Sequence, residues 1–134
     1  MSDKFNTYKQ SLLSSAAPDL SSTTIKAMLL SSTDYTFSAA HDFLNDIAAF
    51  RYLGTTDQTL GTKTITNGVF DSANPTFLGV VIDGAKDIDT IILYQDSGTA
   101  ATSPLIAYYD AFSPVTPNGN NIEVQVHASG WFSV

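Results

Sequence analysis

The chain contains no cysteine, which excludes disulfides, thiolate metal sites and cysteine nucleophiles together. Cations are scarce: six Lys and Arg stand against thirteen Asp and Glu, for a formal net charge of −7. Nucleic-acid affinity comes largely from Lys and Arg neutralising phosphates. A surface for DNA or RNA is therefore not expected, and the same shortage disfavours anionic membranes. Long apolar runs are also missing, since none approaches the roughly 20 residues that a bilayer-spanning helix needs. The opening "MSDKFNTYKQSLLSSAAPDL" lacks the apolar core of about 7–15 residues that marks a secretory signal, so synthesis in the cytoplasm is expected.

What is present points to one β-rich domain. A length of 134 residues falls in the common domain range of about 100–150. The hydrophobic fraction of 43% is enough to build a core. Polar positions are filled mainly by 15 Ser and 16 Thr. Threonine suits a pleated surface through its branched Cβ, and serine suits turns.

Periodicity divides the chain further. Phe5, Tyr8 and Leu12, with Leu13 beside them, recur at helical spacing, and Pro18 ends that pattern. Residues 1–20 are expected to form an N-terminal arm or short helix, and 21–134 a β domain. "TTIKAMLLS" (23–31) is a strand apolar on both faces. Phe43, Ile47 and Phe50 return to helical spacing, with Ser38 placed as a cap, which predicts a short helix over 39–49. Strands and turns follow. Asn67-Gly68 and Asn118-Gly119 are turn dipeptides. "TFLGVVI" (76–82), "IDTIILYQ" (88–95), "PLIAYYDAF" (104–112) and "IEVQVHA" (122–128) are further strands. The 88–95 stretch is apolar at both parities, as a central strand covered on both sides would be. Eight or nine strands at this spacing predict an antiparallel β-sandwich or barrel.

Candidate chemistry is thin. Asp96-Ser97-Gly98 follows a hydrophobic strand, which is how pepsin-like and retroviral proteases present a catalytic aspartate. Such proteases place the motif early and thread a later hydrophobic-hydrophobic-Gly segment beside it. Here Phe77-Leu78-Gly79 precedes the motif and only 38 residues follow Asp96. The dyad also needs two aspartates held together so that one stays protonated. A retropepsin-like aspartic protease using Asp96 thus stays a remote alternative to a hairpin turn. Asp83, Asp87, Asp89 and Asp96 cluster in sequence, but "DGAKDID" lacks the spacing and the closing Glu of a calcium loop. His41 and His127 are the only histidines; the neighbour of His41, Asp42, points elsewhere, and His127 lies on the polar parity of its strand. There is no Gly-x-Ser-x-Gly elbow, phosphate loop, zinc motif or dinucleotide fingerprint. No catalytic residue, cofactor or metal is expected.

Four segments, "TIKAMLLSSTDYTFSAAHDFLNDI", "KTITNGVFDSANPTF", "ILYQDSGTAATSPLIAYYD" and "PVTPNGNNIEVQV", together resemble small virion structural proteins of tailed bacteriophages over about residues 24–127. The resemblance implies a non-enzymatic capsid decoration (cement) protein on the outer surface of the head. It implies contact with the major capsid protein, localisation to the virion, and a homo-oligomer, with a trimer as the favoured form. Contacts with the capsid or a neighbouring subunit are expected at Phe5, Tyr8, Leu12, Leu13, Trp131 and Phe132. The alternative is a tail or head-surface module that recognises a host glycan through exposed aromatics.

Overall fold

The computed structural model describes residues 2–134. It is mainly β, with 29% strand and 13% helix, and its strands pair antiparallel throughout. The elements are β1 (Ser2–Lys4), α1 (Asn6–Leu13), β2 (Ile25–Leu30), β3 (Gln58–Thr59), β4 (Thr64–Thr66), β5 (Val69–Asp71), β6 (Thr76–Phe77), β7 (Thr90–Gln95), β8 (Leu105–Tyr109), β9 (Ile122–Glu123) and β10 (Phe132–Ser133). A five-stranded sheet in the order β1-β8-β7-β2-β3 forms the middle of the molecule. Two smaller sheets, β10-β5-β4 and β6-β9, accompany it.

The central sheet is covered on both faces, which is why β2 and β7 are apolar at both parities. One face presents Ile25, Ala27, Leu29, Ile91 and Leu93 to a cluster containing Tyr8, Phe70, Phe77, Val80 and Trp131. The other presents Met28, Leu30, Ile92, Tyr94 and Leu105 to Phe5, Tyr35, Leu44 and Ile47. Side chains such as Ile92 and Leu93 are fully buried, each contributing about 1.5–3 kcal/mol of transfer free energy. The pairing of β7 with β8 slips between Leu93↔Ala107 and Tyr94↔Leu105. Ile106 is thus the extra residue of a bulge, and it joins Ala107 in the same cluster instead of facing the opposite way.

The N-terminal twenty residues are built into this arrangement. β1 pairs with β8, Phe5 is fully buried and Tyr8 is nearly so. Burial pushes the Tyr8 hydroxyl up to about 12. Asn67-Gly68 makes the expected hairpin between β4 and β5, with φ of 51° and 78°.

The helix expected over 39–49 forms only as two single 3₁₀ turns, Leu44–Asp46 and Ala48–Phe50. The reason is competition for backbone groups. Leu44 N donates to Ser103 O at 2.8 Å, and Leu105 N donates to Asp42 O at 2.9 Å. Residues 42–44 are therefore held extended beside 103–105, with Phe43 bridged to Pro104. Leu44 and Ile47 still reach the core, so the apolar spacing is satisfied without an α-helix. Strands 76–82 and 122–128 are likewise shorter than expected, reduced to Thr76–Phe77 and Ile122–Glu123.

Candidate functional site

Asp96 lies at the end of β7, in the loop before β8. Its carboxylate pairs with Lys26 Nζ at 2.9 Å and accepts from Gly98 N at 2.9 Å. The Lys26 contact, followed by the Gly98 amide, holds its pKa below the usual carboxylate value. A protease dyad needs the opposite, one carboxyl kept protonated by a like charge. Asp96 behaves as the turn residue of a hairpin, its carboxylate spent on a cation and a backbone amide.

The other acidic residues also go to separate partners. Asp83 pairs with Lys86 at 3.0 Å, Asp87 accepts from Thr116 Oγ1 at 2.7 Å, and Asp89 accepts from Ser32 N at 2.7 Å. His41 Nδ1 meets the Tyr35 hydroxyl at 3.1 Å, while His127 Nδ1 accepts from Ser129 N at 3.0 Å.

A polar hollow of about 360 Å³ borders Lys26, Arg51, Asp57, Tyr94 and Asp96. Within it, Arg51 grips Asp57 with two bonds, Nε to Oδ1 at 3.0 Å and Nη2 to Oδ2 at 2.9 Å. The Tyr94 hydroxyl donates to the same carboxylate at 2.5 Å. Burial, reinforced by Asp57, raises the Tyr94 pKa. Contact with Asp57 raises that of Arg51. Charges here cancel pairwise. The group acts as a clamp holding 51–57 to the sheet.

The six residues expected at a partner contact are placed unequally. Phe5 and Tyr8 are core residues. Trp131 is also buried, its Nε1 donating to Ser72 Oγ at 2.8 Å. Leu12 is half-buried against the core, and Phe132 packs on Phe70 with ring centroids 5.6 Å apart. Only Leu13, 91% exposed, is fully offered to solvent. The physical reason is that β1 extends this chain's own sheet, while α1 and the β10 segment help to cover it.

Two surface features stand out instead. The first is aliphatic. Leu53, Leu78, Val81 and Ile82 are exposed by 78%, 69%, 55% and 46%, and all lie within two short segments, 53–54 and 78–82. These segments are tied where Val81 N donates to Gly54 O at 3.2 Å. Gly79 has φ of 54°, a conformation natural to glycine. It breaks the strand alternation, so Val80 turns inward while Leu78, Val81 and Ile82 face water. The unbroken apolar run "FLGVVI" around that glycine was the available sequence signal, and as a strand it gave no reason to expect exposure.

The second feature is a cleft of about 700 Å³ between the central sheet and the connection from β8 to β10. Ile91, Tyr109, Phe112, Val115, Val124 and Trp131 are among its lining residues. Tyr109 Oη donates to Trp131 O at 2.8 Å. With Trp131 Nε1 also paired, both rings present apolar surface alone. No protein-family model, curated protein or solved structure matches this chain.

Proposed function

We propose that this protein is a non-enzymatic structural protein of a tailed-phage virion. It decorates the outside of the head and stabilises the expanded shell by binding major-capsid subunits. The observation that carries the reading is the exposed aliphatic group Leu53, Leu78, Val81 and Ile82. Both faces of the central sheet are already covered, so the chain has no internal use for these side chains. Exposed apolar groups concentrated in this way mark interaction surfaces. Burying them contributes about 25 cal/mol per Å². They would act as anchors within a larger contact, since a stable interface needs roughly 1,200–2,000 Å².

The residues of this group are aliphatic, and no aromatic side chain is among the exposed large hydrophobics of the described residues. That favours a protein partner over a glycan, whose recognition would call for open aromatic faces. A net charge of −7 suits an outer surface kept solvated and apart from packaged DNA. A homo-oligomer, with a trimer at three-fold or quasi-three-fold positions as the favoured form, would repeat the anchors around each site. Selective binding to the expanded shell would stabilise it by mass action.

Purified protein mixed with expanded empty capsids of the encoding phage tests the reading. Stoichiometric binding that drops at least tenfold in Leu53→Ser/Val81→Asp, with the variant's melting temperature retained, is expected. Binding to host cells but not to capsids would sink it. Proteolysis at acid pH that disappears in Asp96→Asn would do the same.

A further inference from the structure

We propose that the apolar cleft is a second binding site, distinct from the aliphatic surface. It accepts an extended, apolar, cation-bearing segment of a partner polypeptide as an added β-strand along residues 123–127. Every residue from Ile122 to His127 borders the cleft. The segment alternates as a strand does: Ile122, Val124 and Val126 are half-buried against the core, while Glu123, Gln125 and His127 are exposed. Yet regular pairing stops at Glu123.

The backbone shows why an edge is left open. Val124 N donates to Pro75 O, and Val126 N donates to Asn74 Oδ1, both at 2.9 Å. Those two amides point toward the β6 side. Adjacent peptide groups of an extended chain point to opposite sides, so Gln125 and His127 turn their N–H groups the other way. Among the described residues, neither of these N–H groups has a hydrogen-bond partner, and nor does the Gln125 carbonyl. An unpaired edge beside an apolar trough is the arrangement that strand addition uses. Main-chain bonds supply affinity, and pockets for alternate side chains supply specificity.

Charge selects among occupants. The lining contains Glu123 and no Lys or Arg, within a chain of net charge −7. An apolar segment carrying Lys or Arg is therefore favoured, and a segment from a second, equally acidic copy is disfavoured. The volume of about 700 Å³ lies within the roughly 300–1,000 Å³ of typical ligand sites. That is room for a few alternate side chains.

Trp131 is the chain's single tryptophan and lines the cleft, so its fluorescence reports occupancy directly. The probe is a synthetic peptide of alternating Val and Thr with Lys at both ends. The expected result is a saturable Trp131 response below about millimolar peptide, together with slowed hydrogen exchange at the Gln125 and His127 amides. N-methylating the peptide amides on its pairing edge should weaken binding at least tenfold, whereas methylating the opposite edge should leave it intact. Replacing the terminal Lys with Glu should also weaken it at least tenfold. No Trp131 response, or equal binding by both methylated peptides, would overturn the proposal. Because the perturbations are made in the peptide, no result depends on a protein variant folding. Capsid binding by the 53–54 and 78–82 surface stands or falls separately.

Discussion

Replacing Gly54 with alanine tests how the segment carrying Leu53 is seated. A Cβ added at Gly54 would lie 1.8 Å from the carbonyl oxygen of Val81 and 2.9 Å from its carbonyl carbon. Both are backbone atoms, so no side-chain rotation relieves the overlap. Restoring an ordinary contact of roughly 3.5 Å requires about 1.7 Å of main-chain displacement. The Val81–Gly54 hydrogen bond, already 3.2 Å long, cannot survive that, at a cost of about 1 kcal/mol. Tyr52 lies two residues away and is fully buried. Its hydroxyl donates to Lys86 O at 2.7 Å and accepts from Asp83 N at 2.9 Å. Disturbing those bonds brings the expected loss to roughly 2–4 kcal/mol. For a chain of this length that is a fall in Tm of about 6–15 °C. Calorimetry or a circular-dichroism melt measures it, with Gly61→Ala as the control. A Cβ at Gly61 meets nothing within 4 Å, so that variant should be neutral or up to about 1 kcal/mol more stable. A Gly54→Ala variant melting within about 2 °C of wild type would refute the close packing of 53–54 on 81.

Asp57→Asn should cost about 1–3 kcal/mol in urea unfolding, because it leaves Arg51 and the Tyr94 hydroxyl without their shared carboxylate. The figure lies below that for a fully buried pair because the Arg51 side chain keeps 31% exposure. Asp96→Asn should lower stability near neutral pH, with the gap to wild type closing as the solution is acidified below about pH 4. The sign follows from the depressed pKa of Asp96 in the folded state. Its stabilisation is present above the unfolded carboxylate pKa and is lost as pH falls through the folded value. A gap that widened in acid would contradict the Lys26 pairing.

Much of the fold is legible in the sequence where local pattern and tertiary environment agree. β7 is apolar at every position from Ile91 to Tyr94, and the structure buries all four. Asn67-Gly68 takes the positive φ angles that its composition suits. The stretch 39–49 is less transparent. Its helical spacing is real, but residues 42–44 exchange backbone hydrogen bonds with 103–105, sixty residues away in sequence. The N-terminal amphipathic pattern predicts α1 correctly, yet amphipathicity says only that one side must be covered. That Phe5 and Tyr8 are spent on opposite faces of this chain's own sheet follows from β1 pairing with β8.

The candidate surfaces were the least legible. Leu78, Val81 and Ile82 belong to an apolar run that a local reading assigns to a strand. A single backbone angle at Gly79 and one contact at Gly54 turn them outward. The cleft is assembled from residues between Leu29 and Trp131, and its open edge exists because, among the described residues, β9 pairs with β6 alone and has no strand on its other side. Composition, charge and period by themselves determined a β-rich, acidic, cysteine-free chain whose central strands are buried on both faces, because each of these follows from residue type and spacing. Which apolar groups are left for a partner depends on long-range pairing and on what each sheet face covers first. That is a competition among distant segments, and only the tertiary structure decided it.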